Sequence, residues 1–393
     1  MAVAGAPAGF ELRRIWSDER ARSALFQILV VLGLALLVAF FVANTMANLQ
    51  ARGLDPGFGF FGDQAFFDIN QKLIDYSSQS TFGRALVVGL LNTLLVSALG
   101  IIAATVIGFT AGILRLSNNW LVGRLVSVYV EFTRNVPVLL QIIFWWSILT
   151  GLPKVADSLS IGGALFLNNR GVRMPAPILE SGFGWVAIVF LLGIIATFVV
   201  GRWAHRRHMA TGQPFPMLWV GLALIIVPAA IAYFVFGQPV DWDFPERTRF
   251  NFRGGFNVTP ELVALWWALS TYTGAFISEI VRSGILSVSE GQTEAAHALG
   301  LRPGLTMRKI IIPQALRVII PPLTSQYLNL TKNSSLAIAI GYQDFVSIGN
   351  TVLNQSGQAI EVVAIWMVVY LSLSLGTSAF MNWYNSHIAL VER

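Results

Sequence analysis

Eight apolar runs constrain this chain more than anything else in it. They lie near 25–43, 86–114, 133–150, 185–201, 218–236, 261–284, 318–342 and 362–384. A helix crosses a hydrocarbon core of about 30 Å with roughly 20 apolar residues, and these runs have that scale, the one at 185–201 being the shortest. Composition agrees. The chain is 55% hydrophobic and 12% charged, with a mean hydropathy of +0.66, whereas soluble domains carry about 25% charged residues. A water-soluble protein could not hide this much apolar surface. The expected fold is therefore an all-α integral membrane protein of about eight spans. With no cysteine in the chain, disulfide frameworks, thiolate metal sites and cysteine nucleophiles are excluded.

The distribution of positive charge predicts orientation. Arg13, Arg14, Arg20 and Arg22 precede an apolar run from Ala24 to Ala43. That run is longer than the core of a cleavable signal, so a retained first span with a cytoplasmic N-terminus is expected. Eight spans then return the C-terminus to the cytoplasm. The segments placed inside carry Arg115 and Arg124, then Arg202, Arg206 and Arg207, then Arg302, Arg308, Lys309 and Arg317. The outer loop 44–85 carries Asp55, Asp63, Asp68 and Asp75 against Arg52, Lys72 and Arg84. The outer loop 237–260 is mixed, with Arg249 among its basic residues, and loop 151–184, with Lys154, Arg170 and Arg173, fits less well.

Two interruptions divide the chain. Trp120–Thr150 would be about 45 Å long as one helix, and Asn135-Val136-Pro137 is expected to break it. Residues 120–133 are thus expected at the inner interface, with the crossing beginning near Arg134–Pro137. Segment 151–260 holds two spans, a basic turn at Arg202–His208 and two polar flanks rich in Gly, Pro and Asn, and reads as an insertion. The expected organisation is 1–85 (N-terminus, first span, outer loop), 86–150 (first part of the core), 151–260 (insertion) and 261–393 (second part of the core).

The most specific motif is the inner loop from Ser289 to Pro313. Ser289 and Gln292 have capping-box spacing. Gly300 sits where a left-handed cap would end a first helix. Pro303 suits the first turn of a second, and Pro313 marks its end or the start of the next span. Ala295, Ala296 and Ala298 keep one surface small, which lets another protein approach closely, and Glu294 offers a carboxylate to a basic partner.

This loop resembles the EAA signature of ABC importer permeases: Glu294-Ala295-Ala296, Gly300, Ile310 and Pro313 match it, with Ile312 where Leu is usual. The resemblance extends over about 86–150 and 260–386 and looks like the polar amino acid permease family. It is carried by Gly89-x-x-Asn92-Thr93-Leu94, Glu131–Gln141, Tyr272–Arg282 and Leu330–Leu336. Asn135-Val136 departs from the family's Gly-Thr, and Asn333-Ser334 from its Asp-Thr. The extra first span and the insertion resemble the larger permease subunits of general L-amino acid systems, which pair with a second, related permease. The resemblance implies a type I ABC importer transmembrane domain in a bacterial inner membrane. It also implies an ABC ATPase dimer docked through Glu290, Glu294, Ala295, Ala296, Gly300, Ile310 and Pro313, and a periplasmic amino acid binding protein.

No Gly-x-x-x-x-Gly-Lys-Ser/Thr loop occurs, so ATP and Mg are expected on the partner ATPase, with no cofactor in this chain. No zinc or nucleophile-elbow motif occurs either. No catalysis, metal or nucleic acid is expected, and His205 and His208 read as solvated charge.

Polar residues inside spans are costly and are candidates for a substrate path. Asn92, Thr93 and Gln141 either line it or stitch spans together. Lys332, with Asn333, Ser334 and Ser335, lies about 20 Å into its run. It is either a carboxylate site, a snorkelling lysine or an ion-pair partner of Glu279. Glu279 and Arg282, three apart, suit mutual pairing. Gly108-x-x-x-Gly112 suits close helix packing. The alternative function is an ion-coupled secondary carrier, which would need a buried ionisable relay and usually a repeat.

Overall fold

The computed structural model describes residues 19–51, 57–248 and 251–388. Arg13, Arg14, Arg52, Asp55 and Arg249, all part of the charge pattern above, lie outside the described residues. Helix α1 (Glu19–Ala51) is apolar on every side, and none of its apolar stretch is buried, as suits a helix solvated by lipid. The loop that follows folds back onto the protein. Phe60, Ala65, Ile69 and Tyr76 pack against Phe82, Leu86, Phe345 and Val352 in one apolar cluster. The Tyr76 hydroxyl donates to the Phe67 carbonyl at 3.0 Å. Burial, with Asp68 nearby, pushes its pKa up to about 12, so it remains a donor.

Helix α2 (Phe82–Leu114) starts at Thr81, whose hydroxyl accepts from the Arg84 N–H at 3.3 Å. Helix α3 (Trp120–Asn135) starts at Asn119, whose Oδ1 accepts from the Leu121 and Val122 N–H groups. Such caps satisfy donors that have no partner within the helix. Helix α4 (Val138–Thr150) leaves α3 at 107°. The break falls at Asn135-Val136-Pro137, as the sequence predicts.

The flanks of segment 151–260, expected as an insertion, hold what the apolar pattern did not announce: short strands within a mostly helical chain. Strands β1 (Leu159–Ile161), β2 (Leu165–Asn168), β3 (Gly171–Met174) and β4 (Ala176–Leu179) precede helices α5 (Phe183–Thr211) and α6 (Met217–Val235). Strands β5 (Val240–Asp243), β6 (Glu246–Arg247), β7 (Phe252–Arg253) and β8 (Phe256–Val258) follow them. All pairing is antiparallel. One sheet has the order β1-β2-β3-β8, and β4-β5 and β6-β7 form two-stranded ladders. Because β3 pairs with β8 and β4 with β5, the two flanks close on each other beneath the α5–α6 hairpin.

Helix α7 (Pro260–Leu286) is the centre of the molecule. Pro260 occupies its first turn, and the Thr259 hydroxyl accepts from the Leu262 N–H at 3.3 Å. Helices α2, α3, α4 and α10 (Ile312–Asn333) pack around it. Gly112 makes the close approach of α2 possible: a Cβ there would lie 2.7 Å from Val281 Cβ, and one at Gly108 would overlap Ile277. The expected packing role of Gly108-x-x-x-Gly112 is what the structure shows.

Helix α8 (Glu290–Ala298) and the short α9 (Pro303–Thr306) form the inner loop. A π turn at Met307–Ile311 joins α9 to α10, which passes through a 3₁₀ turn at Ser334–Ile340. A 54° bend leads to α11 (Phe345–Ser356), and α12 (Ala359–Ile388) ends the described chain. The helical run thus begins at Pro303, well before the expected 318. Pro313 lacks an N–H, and its ring crowds the carbonyl four residues back; the widened π turn sits where that crowding falls.

Among the described residues, five helices are long and apolar enough to cross a membrane, or up to seven if each bent pair is one span, against the eight expected. Helix α7 has spanning length but carries Glu261, Glu279 and Arg282, so its run is less purely apolar. Helix α4, at about 20 Å, is shorter than the core it was expected to cross.

Candidate functional site

The inner loop folds as its residue types require. Helix α8 ends in a complete left-handed cap. Gly300 has φ +72°, its N–H donates to the His297 carbonyl at 2.9 Å, and the Leu301 N–H reaches back to the Ala296 carbonyl at 3.0 Å. These two bonds satisfy carbonyls that the helix leaves free. Nothing lies within 4 Å of a Cβ built at Gly300, so the backbone conformation, not space, is what calls for glycine there. Pro303 opens α9 and Pro313 lies in the first turn of α10.

Two details differ from expectation. Ser289 is at the N-cap position, yet its side chain makes no cap bond. Gln292 turns away from it and accepts from Gln314 Nε2 at 3.2 Å, tying α8 to α10. Ala296 is 1% exposed and faces inward, so the small outward surface is that of Ala295 and Ala298. Glu290, Glu294, Ala295 and Leu299 are exposed, Leu299 at 79%, whereas Ile310 is half-buried. The result is an outward face with an acidic edge and an apolar tip, the mixture that a protein partner can cover.

The candidate path residues fall into three places. Asn92 and Thr93 are fully buried. Asn92 Nδ2 donates to the carbonyls of Gln71 at 2.7 Å and Gln343 at 2.9 Å, while Thr93 Oγ1 accepts from the Phe345 N–H at 3.0 Å. In this conformation they stitch α2 to the outer loop and to the bend before α11. Gln141 Nε2 donates to the carbonyls of Thr133 and Val136 at 2.9 Å each. It thereby serves the free end of α3 and holds the 107° corner.

Glu279 sits among three arginines. Arg115 Nη1 lies 2.5 Å from Oε2, Arg282 Nη1 3.3 Å from Oε1 and Arg134 Nη1 3.6 Å from Oε2. The expected Glu279–Arg282 pair is present, but Arg115 makes the shorter contact. The cluster joins the end of α2, the end of α3 and α7. Arg134 also lies over the Phe276 ring at 5.2 Å. Arg115 was not assigned as a site residue because a basic residue beside a span reads first as an orientation signal, and Arg134 because it reads as the start of a crossing. The ion pair of Lys332 with Glu279 does not form. Lys332 is exposed at the end of α10 and is in no described ion pair. Ser334 Oγ and Ser335 Oγ donate to the carbonyls of Thr331 and Lys332, at 2.8 and 2.7 Å. These local bonds accompany the change from α to 3₁₀ geometry. Asn333 is half-buried beside them.

Known proteins resemble this chain over its whole length. General L-amino acid transport system permease protein AapQ of Rhizobium johnstonii is 52% identical over 386 residues, covering 98% of this chain and 96% of that protein. Putative amino-acid ABC transporter permease protein YhdX of Escherichia coli is 49% identical, covering 96% and 97%. Glutamate/glutamine/aspartate/asparagine transport system permease protein BztB of Rhodobacter capsulatus is 44% identical, with full coverage of both. None of this supports the ion-coupled carrier. The sequence model for binding-protein-dependent transport system inner membrane components matches residues 190–389. With that match and relatives alike from end to end, the chain belongs to the family of inner membrane permease components of binding-protein-dependent ABC transport systems.

Proposed function

We propose that this chain is the larger of two related permease subunits that carry polar amino acids into the cell, driven by an ATPase dimer docked on Glu290–Pro313. One observation carries the coupling. Helix runs without interruption from Pro303 through the π turn to Asn333 and on to Ile340. The second part of the docking loop, from Pro303, and the Lys332–Ser335 candidates are thus opposite parts of one rod, about 45 Å apart along its axis, and the Gln292–Gln314 bond ties α8 with its exposed face to that rod. A rod transmits displacement at one end to the other. It does so only if the ATPase binds the loop unequally in its two states.

Both described termini, the tip of the α5–α6 hairpin and the inner loop lie on the cytoplasmic side, with the strand-bearing flanks outside. Those flanks and loop 57–81 are the surface for a substrate-binding protein. The amino acid substrate is supported by the relatives at 52% and 44% identity, both named as permeases of amino acid transport systems. Lys332 supplies a cation for a substrate carboxylate. ATP and Mg belong to the partner. The test is purification from native membranes followed by reconstitution. An ATPase and a second permease should co-purify, and labelled glutamate or glutamine should enter proteoliposomes only with ATP and the binding protein. Uptake by this chain alone on an ion gradient would overturn the proposal.

A further inference from the structure

The proposed function leaves the tip of the α5–α6 hairpin without a role. Its two helices pack on each other, with only 6% and 11% of their apolar stretches buried, so this chain leaves most of their apolar surface uncovered. From Ser181 to Val240 there is no Asp or Glu, yet Arg202, His205, Arg206, Arg207 and His208 gather within two turns at one end. None of them is in a described ion pair. Arg207 is occupied: its guanidinium lies over the Trp203 ring at 5.5 Å and donates to Gln213 Oε1 at 3.3 Å. Trp203 is held in turn by the Phe215 ring, edge-on at 5.5 Å. Arg202 and Arg206, four apart on one helix face, remain open to an anion.

A groove of about 570 Å³ runs between the helices beside them, lined by Phe198, Gly201, Arg202, His205, Arg206 and Met217 among others. Its polar wall lies toward the tip, and Phe198 lies one turn deeper toward the bilayer. We propose that this groove binds one anionic phospholipid, its headgroup phosphate on Arg202, Arg206 and His205 and its upper acyl chain against Phe198 and Met217. Basic pockets between spans are suited to such headgroups. The apolar wall is what favours a lipid over free phosphate, which would gain nothing from it. The lipid supplies the counter-charge that the hairpin lacks and pins its tip to the leaflet. The proposal requires only that the hairpin crosses the membrane.

The test is native mass spectrometry of the detergent-purified transporter complex, titrated with dimyristoyl phosphatidylglycerol or phosphatidylcholine. Wild type should retain phosphatidylglycerol in preference to phosphatidylcholine. R202Q/R206Q should weaken phosphatidylglycerol binding by about 25-fold, from two arginines worth about fivefold each near an anionic headgroup. R202K/R206K should keep most of the binding, which separates charge from misfolding. Unchanged retention in R202Q/R206Q would overturn the proposal. So would displacement of the lipid by millimolar inorganic phosphate, which would mark a simple anion site. Thiol labelling of Ser160→Cys and Gln213→Cys from opposite sides checks the hairpin's crossing separately.

Discussion

Single side chains carry two distinct loads here. Gly300 is required by its φ of +72° and not by crowding, so a β-branched residue strains the cap while leaving the spans untouched. Gly300→Val should cost about 1–2 kcal/mol locally and misdirect the α8 face. ATP-driven uptake in proteoliposomes should fall sharply while membrane insertion stays normal; full uptake would show that the cap does not orient the docking face. Glu279 holds together guanidinium groups from three helices, and its removal leaves like charges facing one another. Glu279→Gln should lower stability by about 2 kcal/mol, the scale of a lost charge-assisted hydrogen bond. A thermal melt of the detergent-purified protein checks this. In a double-mutant cycle with Arg115→Gln the losses should be non-additive, because Arg115 makes the shortest contact. Of these two residues, Gly300 was legible in the sequence, since a cap glycine follows from local spacing. The partners of Glu279 were only partly legible: Arg282 is three residues away on the same helix, whereas Arg115 comes from 164 residues earlier in the chain.

At the scale of elements, segment 151–260 closes on itself. Leu179 and Val240 are paired neighbours where β4 meets β5, so residues 180–239 leave and return at one point. Replacing them with a two-residue Asn-Gly turn, which suits a tight antiparallel hairpin, should keep the strand pairing and the core spans. Such a variant should still insert and transport, and should lose preferential retention of phosphatidylglycerol. Loss of insertion would show that the hairpin is needed to assemble the core. The helices at 183–211 and 217–235 were readable because a long apolar run has one structural outcome in a bilayer. The strands were not. Each has two to four residues, and pairs such as β3 with β8 join positions more than eighty residues apart, too short and too distant for any local periodicity to register. The break at Asn135–Pro137 was legible from proline chemistry, but its angle of 107° was not.

Among the described residues, a central helix, α7, has most of the other spans gathered round it, while α1 and the α5–α6 hairpin keep apolar surface that the chain itself leaves uncovered. That arrangement gives a topological prediction. Because the chain has no cysteine, single cysteines report sidedness without background. In intact cells an impermeant maleimide should label Ser160→Cys and leave Gln213→Cys and Gln292→Cys unlabelled; the reverse pattern would invert the proposed orientation. The rod from Pro303 to Ile340 belongs to this scale too. It puts the second part of the docking loop, Pro303–Pro313, and the candidate path on one element, to which Gln292 ties α8, a relation that the expected start at 318 had concealed.

By itself the sequence did not determine the number of spans, expected as eight and found as five to seven among the described residues, but it determined membrane residence, the approximate position of most apolar helices, the capped inner loop and the corner at Pro137. Each of these follows from contacts within a few turns of chain, or from the cost of placing polar groups in lipid. The tertiary structure alone decided that Asn92 and Thr93 bind the outer loop and the bend before α11, that Glu279 gathers three arginines and not Lys332, and that the flanks of the insertion close into sheets. Those outcomes depend on which distant backbone groups and charges come to share a buried site, and burial is a property of the folded chain as a whole.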